Sequence, residues 1–142
     1  LYLDRLNTRK NLHKKKVLDS DIFPWCNNAV EDSAHLFFAC PAARRIWQAI
    51  GIGPLSTSLA DVFRTQLPGS LSSSVSPFMF LLFLWKIWDA RNKKVFQTLE
   101  LDASQTLRAI LDDLITWSHR LRTETLKGYA GLWRDFLSSC NL

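Results

Sequence analysis

The 142-residue sequence has few cysteines, few glycines and no long apolar run. Its three cysteines are an odd number, and their spacing is not that of a disulfide framework. We therefore expect reduced thiols and a cytoplasmic or nuclear protein. The longest apolar run, residues 78–88, includes Lys86 and is about half as long as the roughly 20 residues that a membrane-spanning helix needs. We predict no membrane association.

Signatures of common enzyme classes are also missing. The glycines form no phosphate-binding loop, there is no Tyr-x-Asp-Asp polymerase motif, and no Ser, His and Asp residues are grouped as a triad. We therefore predict that the chain is not an enzyme. No signal peptide is recognisable, and because the chain begins at Leu1 without Met we expect a fragment or a processed form.

What the sequence does have is apolar and aromatic content. Hydrophobic residues make up 47% and aromatic residues 12%, including six tryptophans, which indicates a packed globule rather than disorder. The length suits one domain, residues 1–142. Within it we distinguish a Cys/His segment (1–54), a Ser-rich linker (70–76) and a helical segment (77–142).

The predicted fold is mainly α-helical, a bundle around a central apolar helix over about residues 75–96. Trp85 and Trp88 on this helix are expected to be among the most buried aromatics. In residues 19–39 we expect a loop with short extended pieces, one of them at 35–38, that can form a short β-hairpin. Capping residues and helical periodicity predict the other helices: Thr8 to about Val17, Pro41 to Ile50, Ser58 to Gln66, Asp102 or Ser104 to just before Gly128, and Tyr129 to about Ser139.

Metal-binding residue types are concentrated near the N-terminus, where Cys26, His35 and Cys40 lie within fifteen residues. Thiolate and imidazole donors suit Zn²⁺, which takes four ligands in structural sites. Cys40 precedes Pro41 at a predicted helix start, where the helix dipole favours a thiolate. Three donors are visible, so the group is one ligand short.

These residues and their neighbours resemble a known family. The run His-Leu-Phe-Phe-Ala-Cys-Pro at 35–41, with Cys26 before it and Trp47 after it, is similar to the zinc-binding domain that follows the reverse transcriptase in plant LINE-type (non-LTR) retrotransposons. The resemblance covers about the first fifty residues. A second, weaker match lies at 85–96, where Arg91, Asn92 and Phe96 resemble a Trp-x-x-Arg-Asn-x-x-x-Phe segment of such elements.

The chain departs from the family pattern at one position that matters. The family's Cys-x-x-Cys has become Phe23-Pro-Trp-Cys26, and phenylalanine cannot bind a metal. Either another group supplies the fourth ligand, with Asp21, His13 and Cys140 as candidates, or the site has decayed. We expect at most one Zn²⁺, held weakly.

Positive charge is concentrated before this segment. The net charge is +5, and a basic cluster in the first sixteen residues comprises Arg5, Arg9, Lys10, Lys14, Lys15 and Lys16. Such a cluster either neutralises nucleic-acid phosphates or forms a solvated helix face.

Three functional hypotheses follow. The first is a non-catalytic nucleic-acid-binding domain derived from a retrotransposon reverse transcriptase, which the basic cluster favours. The second is a host module that binds another protein or a second copy of itself and has lost its metal, which Phe23 favours. An exposed aromatic residue such as Trp25 or Trp133 would then carry the contact. The third is an inert remnant.

Overall fold

The computed structural model describes residues 6–53, 59–100 and 102–140, and these residues are mainly helical, as predicted. The elements are α1 (Arg9–Lys14), a π-helical turn (His35–Ala39), α2 (Pro41–Ala49), a 3₁₀ turn (Val62–Arg64), α3 (Ser76–Gln97), α4 (Ala103–Ser118) and α5 (Glu124–Ser139). In place of a hairpin, the described residues contain one isolated antiparallel bridge between Ile22 and Val30. Ser58, the predicted start of a short helix, lies outside the described residues.

The central helix α3 is the longest element, with 22 residues. The serine-rich segment before it contributes to the packed structure, because Leu71 and Val75 are buried. Ser76 joins the two segments: its hydroxyl donates to the Leu71 carbonyl at 2.6 Å and accepts from the Ser73 amide at 2.9 Å. Within the described part of the chain, no helix, α3 included, has the length and apolar character to cross a membrane.

One hydrophobic core runs through the Cys/His segment and the helices. Helix α4 packs on α2, α3 and α5, while α3 also contacts the π-helical turn and the 3₁₀ turn. Trp47 of α2 contacts both parts of this core. Its ring lies 5.4 Å from the Phe83 ring of α3, and its indole N–H donates to the Phe37 carbonyl at 2.8 Å. The Cys/His segment is therefore packed directly against the helical bundle.

Two sequence-based predictions of local structure are wrong. Residues 35–38 are helical rather than extended, because Asp32 starts a helical turn by accepting the His35 amide on its side chain at 2.9 Å and the Leu36 amide on its carbonyl at 2.9 Å. The break between the last two helices is also misplaced, since α4 ends at Ser118 and α5 begins at Glu124, whereas the sequence predicted a break at Gly128. Thr123 caps the start of α5, its hydroxyl accepting the Leu126 amide at 3.2 Å, so that Gly128 lies inside α5.

The predicted burial of Trp85 is also wrong, since 59% of this residue is exposed, and Trp88 is only partly buried. Phe78, Leu81 and Trp85 follow one another at helical spacing along one stripe of α3, and the described residues cover this stripe incompletely. Trp133, proposed as an exposed contact residue, is fully buried on α5.

Candidate metal centre

Three potential metal ligands converge at the junction between the N-terminal loop and α2. The side chains of Cys26, His35 and Cys40, hereafter the Cys/His group, have their ligand atoms within 4.8 Å of one another, and Cys26 Sγ lies 3.2 Å from His35 Nε2. Zinc bond lengths of about 2.3 Å to sulfur and 2.0–2.1 Å to nitrogen place neighbouring ligand atoms roughly 3.5–3.8 Å apart. The predicted three-residue group is thus assembled at a spacing that suits a metal ion.

Each ligand is positioned by a local feature of the backbone. Cys26 lies in a turn in which the Asn27 amide donates to the Phe23 carbonyl at 2.7 Å, with Asn27 at a positive φ of 53°. Asn tolerates that left-handed conformation. His35 begins the π-helical turn, and Cys40 is the N-cap of α2 with Pro41 in the first turn. The chain therefore brings the three side chains together through a turn and two helix starts.

Phe23, which the family resemblance aligned with a missing cysteine, is fully buried beside the Cys/His group. Its ring packs edge-on against the His35 imidazole, with 5.4 Å between the ring centroids and an interplanar angle of 87°. On its other side it meets the Trp25 ring at 5.9 Å. The phenyl ring offers no lone pair to a metal, so Phe23 contributes aromatic packing to the site.

None of the proposed substitutes joins the Cys/His group. Among residues 6–53, 59–100 and 102–140, no fourth Cys, His, Asp or Glu lies with the three ligand atoms, so Asp21, His13 and Cys140 stay outside the site. The Cys140 thiol instead faces the Phe136 carbonyl at 3.4 Å. The donor set fits three ligands to a thiophilic ion and does not complete a zinc tetrahedron.

Burial shifts the pKa of His35 and that of Cys40. It lowers the pKa of His35 below its ordinary value, although Asp32 and Glu31 act in the opposite direction. The imidazole is therefore neutral near pH 7 and has a nitrogen lone pair for a metal. Burial also raises the pKa of the Cys40 thiol, outweighing the hydrogen bonds from the Ala42 and Ala43 amides. Burial therefore works against the thiolate preference that we expected at this helix start, and metal binding would have to displace the Cys40 proton.

A buried ion pair, which sequence reasoning missed, connects the loop between Cys26 and His35 to α3. The Arg91 guanidinium donates to both Glu31 carboxylate oxygens, from Nη2 to Oε1 at 2.7 Å and from Nε to Oε2 at 3.1 Å. The Glu31 side chain is 0% exposed and that of Arg91 3%. The Arg9 amide also donates to Glu31 Oε1 at 2.9 Å, and Arg91 lies 5.0 Å from the Trp88 ring. Glu31 and Arg91 thus join the segment between the ligands to α3.

The basic cluster is divided by the fold. Arg5 lies outside the described residues. Arg9 is partly buried, and Lys10 forms an ion pair with Asp32 at 3.5 Å. Lys14, Lys15 and Lys16, hereafter the lysine cluster, are exposed at the end of α1 and form no ion pair among the described residues. Of the predicted basic surface, the lysine cluster is therefore the part most accessible to a negatively charged partner.

Comparison with known proteins agrees with this N-terminal assignment. A family model described as zinc-binding in reverse transcriptase matches residues 1–47. The match includes all three ligands of the Cys/His group and the whole of α1. No curated protein and no solved structure matches the chain. Residues 1–47 are accordingly similar to a zinc-binding region associated with reverse transcriptases.

Proposed function

We propose that the chain is a non-catalytic nucleic-acid-binding domain, derived from the region after the reverse transcriptase of a plant LINE-type retrotransposon. The observation that carries this proposal is the lysine cluster: three exposed cations without ion-pair partners among the described residues, inside the segment that the family model matches. Such cations bind phosphates by releasing counterions. Nuclear or cytoplasmic residence would give the domain access to DNA or RNA.

The contacts would be mainly to the phosphate backbone. Lys14 ends α1, and Lys15 and Lys16 lie in the following turn, with Lys16 at a φ of 58°. Helix α1 has only six residues, which is short for a helix that reads bases in a groove. Cations at the end of a short helix can follow a backbone without reading sequence. Binding should therefore depend strongly on salt and weakly on nucleic-acid sequence.

A salt titration tests the proposal. Binding of the chain to short single- and double-stranded DNA and RNA is measured from about 50 to 200 mM salt, and log K should fall with log salt by about 0.7–0.9 per phosphate neutralised. Changing Lys14, Lys15 and Lys16 together to Ala should weaken binding and flatten the slope.

The matched control changes Arg120, Arg122 and Lys127 to Ala, which removes the same charge from exposed residues elsewhere in the chain. This control should bind nearly as well as the unchanged protein. No binding at about 50 mM salt, or equal loss in both triple variants, would remove the nucleic-acid proposal.

A second candidate function is protein interaction, favoured by an exposed apolar face on α3 and α4. Leu81, Trp85 and Trp117 are 37%, 59% and 49% exposed, and they flank a groove of about 320 Å³. A host that had adopted the chain for binding another protein or a second copy would use such a face, with the metal site no longer needed. Replacing Trp85 and Trp117 by Ser should then abolish association measured by sedimentation or partner capture, while the lysine-cluster variant should have no effect.

A further inference from the structure

The Cys/His group combines soft donors with a missing fourth ligand. Two sulfur atoms and one imidazole nitrogen lie within 4.8 Å of one another, and within the described ranges no other protein ligand joins them. Zinc in structural sites is almost always four-coordinate. A zinc ion here would need a fourth ligand from solvent, which could approach on the side of the half-buried Cys26 and His35 and not on that of Phe23 and Cys40, both 0% exposed. Three-coordinate binding avoids this requirement.

The net charge of the occupied site differs between monovalent and divalent cations. With both cysteines deprotonated, the three ligands carry two negative charges, so a monovalent cation leaves the site at −1. A site with a third thiolate at position 23 and a divalent cation would have the same net charge. The Ala42 and Ala43 amides donate to Cys40 and support negative charge on its sulfur, whereas burial and the nearby Asp32 and Glu31 carboxylates oppose any excess of it. Replacing a thiolate by Phe23 is thus balanced by replacing a divalent cation with a monovalent one.

Aromatic packing on one side of the group favours low coordination. The Phe23 ring contacts both the His35 and the Trp25 ring, with both interplanar angles close to perpendicular. The ring is therefore fixed and excludes solvent from its side of the imidazole. Thiolate ligands suit both Cu⁺ and Zn²⁺, but Cu⁺ accepts three-coordinate geometry, whereas Zn²⁺ in structural sites is almost always four-coordinate.

We propose that Cys26, His35 and Cys40 bind a soft monovalent cation, Cu⁺, in three-coordinate geometry and hold Zn²⁺ only weakly. This proposal does not depend on nucleic-acid binding. It assigns Phe23 as the residue that determines metal preference. Such a site would buffer or carry the ion, because all three donors come from one short segment and the ion is partly enclosed.

The first test uses the unchanged chain under anaerobic conditions. Cu⁺ is titrated against a competing chromophoric chelator, and X-ray absorption of the 1:1 complex should show two Cu–S bonds and one Cu–N bond. Co²⁺ serves as the probe for tetrahedral zinc-type coordination and should produce no intense tetrahedral visible bands. Strong tetrahedral Co²⁺ bands, or copper held by sulfur alone, would overturn the proposal.

The second test changes the preference itself. Phe23→Cys should raise Zn²⁺ affinity by more than about 100-fold, because adding a direct ligand should change affinity more than the roughly 10–100-fold effect of a residue that only supports a ligand. The same change should raise Cu⁺ affinity much less. Cys140→Ser is the matched control and should leave both affinities unchanged, since this thiol is outside the group. An equal gain for both ions in Phe23→Cys would refute Phe23 as the determinant.

Discussion

Breaking the Glu31–Arg91 ion pair should destabilise the chain more than any surface change. Arg91→Met leaves the Glu31 carboxylate fully buried with the Arg9 amide as its remaining hydrogen-bond donor among the described residues. Removing one partner of a buried pair costs about 3–5 kcal/mol, because the other charge is left uncompensated. We expect a loss of that size in the free energy of unfolding.

The assay is urea unfolding followed by tryptophan fluorescence, to which Trp88 beside Arg91 contributes. With a denaturant dependence of about 1–3 kcal/mol per molar, the midpoint should fall by at least about 1 M. Arg91→Lys should also be destabilising, because a lysine cannot donate to both carboxylate oxygens in the planar fork that Arg91 uses.

Two further variants show whether the cost comes from the pair. Glu31→Gln combined with Arg91→Met should cost less than the sum of the single changes, by about 0.5–3 kcal/mol, because the two residues interact directly. The control is Lys127→Ala, which breaks an exposed pair with Glu124 at 2.8 Å and should cost about 1 kcal/mol or less. The reasoning fails if Arg91→Met shifts the midpoint no more than this control does.

Three other predictions concern packing, backbone and thiol reactivity. Trp133→Ala should cost about 3–5 kcal/mol, as large aromatic deletions in cores do, whereas the exposed Trp85→Ala should cost much less; similar unfolding midpoints would contradict the assigned burial. Gly51→Ala should destabilise the end of α2 by about 1–2 kcal/mol, because Gly51 has a φ of 63° that other residues adopt only with strain, and an unchanged melting temperature would count against this. Cys40 is buried and its thiol pKa is raised. At pH 7.5, iodoacetamide should therefore modify Cys40 far more slowly in the folded protein than in the unfolded protein. The rates are measured by mass spectrometry of the modified peptides, and equal rates would contradict the prediction.

Helix starts were the part of the fold most accessible from sequence. Thr8, Pro41 and Asp102 were each proposed to begin a helix, and each is found at or next to a helix start. Asp102 forms a full capping box with Gln105, with hydrogen bonds of 2.7 and 3.0 Å. Caps are local, since their donors and acceptors lie within three or four residues, and a sequence therefore displays them directly.

Which residues of the apolar helix are buried could not be predicted from the sequence in the same way. Residues 78–88 are apolar on nearly every side, so periodicity could not distinguish the exposed Trp85 from the buried Phe83. The difference comes from where α4 and α2 lie, which is a tertiary property. The Asp32 turn could have been recognised, because Asp32 precedes His35 by three residues, but the strand-forming character of Phe37 and Phe38 pointed the other way.

The composition of the candidate site was predicted, but its dependence on the rest of the chain was not. Cys26, His35 and Cys40 converge as their spacing suggested. The partner of Glu31 is 60 residues away, and no local pattern relates the two positions. Only the fold shows that α3, through Arg91, supports the loop between the ligands.

This dependence links metal binding to the stability of the helical bundle. The family match ends at residue 47, yet the buried Glu31 carboxylate within it is paired with Arg91 of α3, and Trp47 packs on Phe83 of the same helix. A cation that binds only the folded arrangement of the Cys/His group stabilises every element that maintains this arrangement. Conversely, loosening α3 lowers the population of chains in which the three ligands lie together, so metal affinity falls without any change to a ligand. We therefore expect metal affinity and bundle stability to fall together in variants of α3, although this helix lies outside the matched segment.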